Sequence, residues 1–393
     1  MRGHIRRRSS SWELKIDLGR GPDGKRRTIY KTVRGSKRDA QAKLAGLLAA
    51  QTSGIPVEPS KLTVAVYLQE RLAHWRATGV IGPKTAQGYE GLITGLIVPH
   101  LGNRLLQQLT PRDLEAWHVT LLTAGRRGRH GRPDGQSGVS ARTVGHAHRV
   151  LSKALAEAAK HEIVPRNVCS LQRAPRINAV EMPILNKEQI ADFEAGLRGH
   201  AMEVPTLTAL YGGLRRGEVL GLRWRNVDLD DEIIRVRESL EQTKAGLRCK
   251  PPKSRAGIRD IKLPAILVDA LHAHRKCLLE QRLQLGLGKL SGDDLVFPAL
   301  DGGPQAPDSF GSRWGKLARS LGFPGIGFHA LRHTHASMLI AHGVDVVTIA
   351  KRLGHASPTI TLNTYAHLFT KDDSKAAAAI NAALGVSVQP PGR

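Results

Sequence analysis

The first fifty residues alternate between apolar and polar positions in a way that predicts β-strands. The alternating apolar residues are Trp12, Leu14, Ile16 and Leu18. A period of two places such residues on one face of a strand, and the turn-forming stretch GRGPDGK then leads into a second strand, RRTIYKTV. Ser36, with Asp39 three residues later, resembles a capping box and predicts a helix that continues to about Ala50. We therefore expect a small strand-strand-helix module.

Residues 61–161 show helical periodicity almost throughout. Four segments carry it: TVAVYLQERLAHW, TAQGYEGLITGLIVPHL, PRDLEAWHVTLLT and SARTVGHAHRVLSKALAEAAKH. The apolar stripe of the last segment consists of Val144, Ala147 or His148, Leu151 and Leu155, with Arg142, Arg149 and Lys153 beside it. The Arg/Gly-rich stretch AGRRGRHGRPDGQSG interrupts the helices and predicts a mobile loop, which either lies near phosphates or is a disordered spacer.

The remainder of the chain mixes helices with one β-rich stretch. After the linker VPRNVCSLQRAPRINAVEMP, Asn186 is placed to cap a helix with the sequence KEQIADFEAGL. Ile233, Ile234 and Val236 predict a strand, and KPPKSRAGIRDIKLP predicts a pair of strands. No internal repeat is visible, so the pattern indicates a mixed, mainly helical domain rather than a repeat protein.

Charge narrows the class of partner. The 393 residues contain 59 Lys and Arg against 34 Asp and Glu, a net charge of +25 and a pI of 10.6, and the first fifty residues alone carry fourteen basic against four acidic side chains. Such an excess attracts polyanions, of which nucleic acid is the commonest, although a ribosome-like or merely basic protein is the alternative. Aromatic residues make up only 4%, which argues against a protein that stacks on single-stranded bases.

The same composition bears on localisation. No run of about 18 apolar residues predicts a membrane span, and MRGHIRRRSSS lacks the apolar core of a secretory signal. The cysteines Cys169, Cys249 and Cys277 are odd in number and lack CxxC spacing, which favours a reducing compartment without disulfides or a zinc site. We expect a cytoplasmic, nucleoid-associated protein with no membrane partner.

Four short segments of the last two hundred residues carry reactive or cationic side chains. They are ALYGGLRRGEVLGLRW with Arg215, Arg216 and Glu218, the predicted strand pair with Lys253, HALRHTHASMLIAHG with His329, Arg332, His333 and His335, and LGHASPTITLNTYAHLF with His355 and Tyr365. Each has an ordinary interpretation by itself. Arg215 and Glu218 at i, i+3 suit a surface ion pair, and a lone tyrosine in an amphipathic segment is usually a core residue.

Two other functions compete for parts of this set. His329 and His333 at i, i+4 could be half of a metal site, but Ala330 stands where an HExxH motif has glutamate and no third ligand is apparent, so neither a metal nor another cofactor is expected. VDVVTIAKRLGHASPTITLNTY resembles a helix-turn-helix with Gly354 near the turn. The stretch after that turn is mostly apolar and hydroxylic, whereas a recognition helix should present polar base-readers, and a repressor needs none of the other three segments.

Taken together, the four segments suit phosphoryl transfer. A phosphodiester transition state needs fixed cationic donors around its non-bridging oxygens, and arginine forks provide them best. His329 and Arg332 lie one helical turn apart, so both can face one phosphate. A tyrosine is a poor nucleophile at neutral pH unless cations favour its phenolate or a base takes its proton, and a lysine can protonate the leaving oxygen.

The order of these segments resembles the tyrosine recombinases, more closely the phage-type integrases. The pattern G-L-R-x-x-E, then K in a β-hairpin, then H-x-L-R-H-T, then L-G-H with Y ten residues beyond the histidine, matches Arg215, Lys253, His329–Arg332, His355 and Tyr365. The motif extends over about 150 residues, and the basic N-terminal module and helical middle extend the resemblance along the chain. One departure is Gly212-Gly213, where the family commonly has Thr-Gly.

The resemblance implies three domains. Residues 1–55 would be an arm-type DNA-binding domain of three strands and a helix, residues 60–170 a helical core-binding domain of the SAM-like type, and residues 178–393 the mixed, mainly α catalytic integrase domain. Arg26 and Arg27 in the first, Arg142, Arg149 and Lys153 in the second and Arg216 in the third are expected DNA contacts.

The resemblance also implies the roles of the site residues. Tyr365 would attack the scissile phosphate to give a 3′-phosphotyrosyl link and a free 5′-hydroxyl. Arg215 and Arg332 would bind the phosphate oxygens, Lys253 would protonate the 5′-oxygen, His329 would assist proton transfer at Tyr365, and His355 would hydrogen-bond the phosphate. Glu218 would orient the arginines, and His333 would support the site without reacting. Lys244, Lys250 and Lys262 remain alternatives to Lys253, since hairpin register slips easily.

The implied partners are double-stranded DNA with core and arm-type attachment sites and three further copies of the chain, forming a homo-tetramer. An excisionase or a host DNA-bending protein would be accessory partners. The expected activity is integration or excision of a phage or other mobile element without ATP or metal. A type IB-like topoisomerase and a non-enzymatic helix-turn-helix regulator remain the alternatives. The N-terminal module favours recombination over relaxation, and it disfavours the Xer-type housekeeping recombinases, which generally lack it.

Overall fold

A computed structural model describes most of the chain, in two compact units. The described residues are 3–20, 26–52, 60–124, 138–177, 182–252, 254–286 and 288–369, with five further positions at 377, 380, 381, 383 and 384. The chain divides into Met1–Ala179 and Val180–Arg393. The predicted three-domain division, with its boundaries at 55–60 and 170–178, stays a prediction. Secondary structure is mainly helical with small sheets, as expected.

The N-terminal segment is a three-stranded sheet covered by one helix. Its elements are β1 (Gly3–Arg8), β2 (Ser11–Arg20), β3 (Arg26–Arg34) and α1 (Lys37–Thr52). The strands are antiparallel in the order β1-β2-β3. Alternation places Leu14 and Ile16 on the inner face, fully buried against Ala40 and Leu44. Both strands predicted from the sequence are confirmed, as is the helix.

The capping box that predicts α1 is present. The amide and hydroxyl of Ser36 donate to Asp39 Oδ2 at 2.9 and 2.8 Å, and the Asp39 amide donates to Ser36 Oγ at 3.2 Å. These bonds satisfy backbone donors that a helix N-terminus leaves unpaired. The hydrogen bonds also lower the pKa of Asp39 below its usual value.

Residues 60–177 form a helical bundle that confirms the four predicted helical segments. Its helices are α2 (Val64–Ala77), α3 (Pro83–Leu92), α4 (Val98–Leu101), α5 (Pro111–Ala124) and α6 (Ala141–Lys160), with a π-helical turn at Ile93–Ile97 between α3 and α4. The predicted stripe of α6 is the buried face of that helix, and Ala147 and His148 are both part of it. Most of the Arg/Gly-rich loop, residues 125–137, lies outside the described residues.

The second unit interleaves helices with two small sheets. Its helices are α7 (Lys187–Leu197), α8 (Glu203–Gly212), α9 (Arg216–Leu220), α10 (Ala265–Gln284), α11 (Pro307–Ser320), α12 (Phe328–Ala341), α13 (Val346–Leu353) and α14 (Pro358–Tyr365). Its strands are β4 (Val227–Asp228), β5 (Ile233–Val236), β6 (Ser239–Thr243), β7 (Gly246–Lys250) and β8 (Arg259–Lys262). Asn186 caps α7, as predicted, and the structure adds a capping box with Gln189.

The strand pair predicted for KPPKSRAGIRDIKLP is wrong. The hairpin is β6–β7, which ends at Lys250, and β8 pairs with β5 rather than with β7. Pro251 and Pro252 follow β7 directly, and proline lacks the N–H that a ladder needs. The segment therefore leaves the β6–β7 sheet, and a short 3₁₀ turn at Arg255–Gly257 leads it into the other sheet.

The helix-turn-helix pattern near the C-terminus is present as two packed helices. α13 ends at Gly354, whose φ of +66° is the left-handed conformation that glycine adopts without a Cβ penalty. Tyr365 closes α14 and packs with Ala336, Ile349 and Leu353. Within the described residues, no helix combines the length and apolarity that crossing a membrane requires.

Candidate active site

Three structural elements of the second unit bring the predicted site residues together. Arg215 is the N-cap of α9, and α12 carries His329, Arg332 and His333. His355 lies between α13 and α14, and Tyr365 is the last residue of α14. Gly213 ends α8 with a φ of +67°, and a Cβ there would lie 2.7 Å from a ring carbon of His335. Glycine at this position allows a tight turn between α8 and α9, and this turn sets the position of Arg215.

Glu218 lies between two arginines. Arg215 Nη1 and its backbone amide donate to the two carboxylate oxygens at 2.8 and 2.9 Å. Arg259, at the start of β8, donates to the same oxygens at 2.8 and 3.2 Å. Burial alone would raise the pKa of Glu218, but the hydrogen bond and charge of Arg259, followed by the charge of Arg215, lower it to about 2. Glu218 is thus an anion hydrogen-bonded to both guanidinium groups.

The C-terminal end of α13 offers three successive carbonyl oxygens, and each accepts a hydrogen bond from a different arginine. Arg352 O accepts from Arg259 Nε at 2.7 Å, Leu353 O accepts from Arg332 Nη2, and Gly354 O accepts from Arg215 Nη2 at 3.3 Å. Helix ends leave such carbonyls without intrahelical partners and partly negative. The turn before His355 is therefore a small anionic surface around which three guanidinium groups converge.

Arg332 is almost completely buried at 2% exposure. Its Nη1 also donates to Gly213 O at 2.7 Å, so one planar fork bridges the α8 and α13 ends. Burial and then the charge of Arg215 lower its pKa to about 9, which still leaves it protonated at neutral pH. A buried cation with carbonyl partners retains its charge for an anionic ligand.

Tyr365 is buried and its hydroxyl is hydrogen-bonded to His333 Nδ1 at 2.7 Å. Burial raises the pKa of Tyr365 to about 12, although the charge of Arg332 acts in the opposite direction. Burial and Arg332 lower the pKa of His333, so the ring is neutral at pH 7 and can accept the phenol proton in the tautomer protonated at Nε2. The Tyr365 phenol is thus paired with a neutral imidazole that can accept its hydrogen bond.

His329 and His355 both lie near His333. The His329 ring packs edge-on to His333 with ring centres 4.8 Å apart. Desolvation, and then the charges of His333 and Arg332, lower the pKa of His329 to about 4, although the residue is partly exposed. His355 Nδ1 is 2.8 Å from Thr361 Oγ1, and burial and then Arg332 lower its pKa to about 4. Both rings are therefore neutral donors or acceptors at pH 7.

The described residues include no group of three or more His, Cys, Asp or Glu side chains placed to hold a metal ion. Lys253 lies outside the described residues. Of its alternatives, Lys250 pairs with Glu241, and Lys262, at an exposed position of β8, donates to Asp231 O at 2.7 Å.

The expected DNA contacts are spread over both units. Arg142 and Arg149 are exposed on α6, and Lys153 Nζ lies 4.6 Å from the ring centre of Trp75. Arg216 Nη2 is 3.6 Å from Asp308 Oδ1. Arg26 and Arg27 begin β3, and the structure does not describe their side chains.

Sequence reasoning missed Arg259, Arg352 and the role of His335. Arg352 donates to His335 Nε2 at 3.0 Å and to two backbone carbonyls, while His335 Nδ1 bonds Leu210 O at 2.8 Å. A signal for Arg259 existed: residues 259, 261 and 263 are the buried positions of an alternating strand, so a charged side chain occupies an inward site.

The sequence is similar to those of known integrases and recombinases. Residues 181–372 match the Phage integrase family. A tyrosine recombinase XerC-like protein of Caldanaerobacter subterraneus subsp. tengcongensis is 25% identical over 96% of this chain and 97% of its own length. The ICEBs1 integrase of Bacillus subtilis is 27% identical over 67% of this chain and 68% of its own. Because a protein named XerC-like matches almost the full length, the N-terminal module does not separate this chain from that group.

Solved structures share the fold. The integrase of transposon Tn1549, in complex with a circular intermediate DNA, superposes with a TM-score of 0.67 at 20% identity over 82% of this chain and 99% of that one. A lambda integrase tetramer bound to a Holliday junction superposes with a TM-score of 0.54 at 18% identity over 90% of this chain and 96% of that one. Residues 181–372 thus form a phage integrase family domain, and the ordered motifs and the relatives that span most of the chain support a tyrosine recombinase.

Proposed function

We propose that this protein is a site-specific integrase of a phage or other mobile element, which cleaves and rejoins duplex DNA through a 3′-phosphotyrosyl intermediate. The observation that carries the proposal is the buried Tyr365 hydroxyl, 2.7 Å from His333 Nδ1, in the same cluster as Arg215 and Arg332. A nucleophile, a base and two cations for phosphate oxygens are the parts that a metal-free transesterification needs.

The pKa shifts of the site residues support a sequence of proposed steps. Because burial holds the pKa of Tyr365 near 12, the phenol does not ionise by itself at neutral pH and a base must accept its proton as the phosphorus–oxygen bond forms. His333 is in contact to do so, and His329 beside it would relay or assist. Arg215 would exchange its carbonyl partner at Gly354, and Arg332 its partner at Leu353, for the non-bridging phosphate oxygens.

The remaining roles complete the reaction. His355 would hydrogen-bond the phosphate, and Lys253 would protonate the departing 5′-oxygen. The free 5′-hydroxyl of a partner strand would then attack the phosphotyrosine and restore the phenol, so bond energy is conserved without ATP. Exchange of strands between two duplexes requires four active sites, which supports a homo-tetramer on DNA.

DNA binding would be shared between the parts of the chain. The exposed α6 face with Arg142 and Arg149 would follow the core-site backbone, together with Lys153 and Arg216. The basic sheet of residues 3–34 would read arm-type sites, with Arg26 and Arg27 among its contacts. Counter-ion release by so many cations predicts binding that weakens steeply with salt. An excisionase or a host bending protein would set the direction of the reaction.

The test is covalent trapping. A site would be selected from genomic fragments bound by the protein and made as a nicked duplex, and the product examined on a denaturing gel with EDTA present. We expect a covalent protein–DNA band with wild type and Tyr89→Phe, a matched half-buried tyrosine of α3, and none with Tyr365→Phe.

Other outcomes separate the alternatives. Equal trapping by wild type and Tyr365→Phe, or none by either on a bound site, would refute the nucleophile. Relaxation of a supercoiled plasmid that lacks the site would point to a topoisomerase. Phage-like genes and a tRNA-gene junction beside the coding sequence would support the mobile element.

A further inference from the structure

Arg259, Glu218 and Arg215 form an ion-pair triad. The proposed chemistry does not by itself explain why Arg259 is part of it. The side chains of Arg259 and Glu218 are 5% and 3% exposed, whereas that of Arg215 is 39% exposed. Arg259 makes two hydrogen bonds to the carboxylate through both of its terminal nitrogens. The forked, bidentate geometry is the strong form of an arginine–carboxylate pair.

The triad holds two positive charges and one negative charge. Since Arg259 and Glu218 lie together away from solvent, they compensate each other, and Arg215 is left as the net cation on the exposed side. Without Arg259, the buried carboxylate would be neutralised by Arg215 alone. The guanidinium that faces the phosphate would then offer that phosphate no net charge.

Arg259 has a second contact that leads to the same site. Its Nε donates to Arg352 O at 2.7 Å, next to the carbonyls that accept from Arg332 and Arg215. A Cβ built on Gly354 would lie 3.0 Å from Arg259 Nη1, so the guanidinium passes directly under the turn. One side chain therefore fixes both the carboxylate that orients Arg215 and the turn that precedes His355.

We propose that Arg259 is a positioning residue of the recombination reaction: it neutralises Glu218, so that Arg215 keeps its full charge for the scissile phosphate, and it holds the Arg352–Gly354 turn in place. This proposal rests on the proposed function of the same site. Arg259 is 8% exposed and would not touch DNA, so it acts through Arg215 and the turn.

The test measures single-turnover cleavage of the nicked duplex by the full chain. Arg259→Gln should slow cleavage at least roughly tenfold, about 1.4 kcal/mol in the barrier, while DNA affinity stays within about threefold. Adding Glu218→Gln removes the uncompensated anion, so the double variant should recover part of the rate. A neutral methylphosphonate at the scissile position should also reduce the difference in cleavage rate between Arg259→Gln and wild type. Its transition state carries less negative charge and so depends less on the charge of Arg215.

A matched control lies in the same sheet. Arg235 on β5 pairs with Asp228 at 3.0 Å, away from Glu218, and Arg235→Gln should cleave within about twofold of wild type. Arg259→Lys keeps the charge but cannot make all the bonds, so it should lose less than Arg259→Gln. It also carries the test if Arg259→Gln does not fold.

Three results would overturn the inference. The first is a wild-type rate in Arg259→Gln and Arg259→Lys. The second is a loss that neither Glu218→Gln nor the methylphosphonate reduces, because Arg259 would then be only a structural anchor. The third is equal slowing by Arg235→Gln. Failure of wild type to cleave would instead refute the proposed function, so the two failures are distinguishable.

Discussion

The helical bundle of residues 60–177 and the unit that contains Tyr365 differ in the side chains that they bury. In the described part of the bundle, the buried polar side chains are His118 and His148, hydrogen-bonded to each other at 3.1 Å. The second unit buries two arginines, a glutamate and two histidines around one turn; they are Arg259, Arg332, Glu218, His333 and His335.

The second unit therefore accepts a cost in stability, the burial of charged groups, that the bundle avoids. Desolvating an ion is costly unless its partners are nearly ideal, and an apolar replacement is often as stable. The bundle avoids this desolvation cost, because it buries an apolar core and a pair of neutral imidazoles. The second unit retains charges where the proposed reaction would place a phosphate, and surrounds them with carbonyls and one carboxylate. The following predictions test whether this division holds.

The largest effect is expected at Arg332. Arg332→Lys keeps a positive charge but lacks the planar fork, so it cannot hold Gly213 O and bind a phosphate oxygen at once, and cleavage should fall by about 10²- to 10³-fold. Single-turnover cleavage and a thermal melt would measure the change. Arg319→Lys, exposed on α11, is the control and should be near wild type. A rate for Arg332→Lys within twofold of wild type would show that the buried fork is not needed.

The turn itself should be sensitive. Gly354→Ala puts a Cβ on a residue with a φ of +66° and within 3.0 Å of Ala256 O, so it should lower the free energy of unfolding by roughly 2–3 kcal/mol. Denaturant unfolding of the full chain would measure it. Gly88→Ala, in the open middle of α3, is the matched change in the bundle and should instead stabilise by about 0.5–1 kcal/mol. Equal effects at the two glycines would contradict the strained turn.

The bundle should show its own weakness in acid. Burial, and then His148, lower the pKa of His118 to about 4 in the folded chain, whereas its pKa in the unfolded chain is about 6.5. Between these two pH values the unfolded chain binds more protons than the folded chain. Stability is therefore full above that window and is lost as pH falls. The loss from about pH 7 to pH 5 should be roughly 2 kcal/mol for this group.

Amide hydrogen exchange in α5 and α6 at both pH values would measure it locally. His118→Gln should flatten the pH dependence there, whereas His146→Gln, exposed on α6, should leave it unchanged. A pH dependence that persists in His118→Gln would assign the acid sensitivity to other groups.

Local signals in the sequence were sufficient for most elements. Ser36 with Asp39, and Asn186 alone, identify two helix starts, because a cap is formed by residues close together in the sequence. The period of α6 predicts which of its residues are buried. The strand-pair prediction near Lys253 failed because strand pairing is a contact between distant segments, and β8 joins β5 across the intervening hairpin.

By itself, the sequence determined the chemical inventory: a basic chain, an ordered set of arginines and histidines, and Tyr365 at a fixed distance from His355. Only the tertiary structure decided which of them touch. His333, rather than His329, is hydrogen-bonded to Tyr365, and Arg259 compensates Glu218 from a strand 41 residues away. Spacing along a helix limits which faces residues share, but the partner of a buried charge depends on how separate elements pack, and local patterns do not encode that packing.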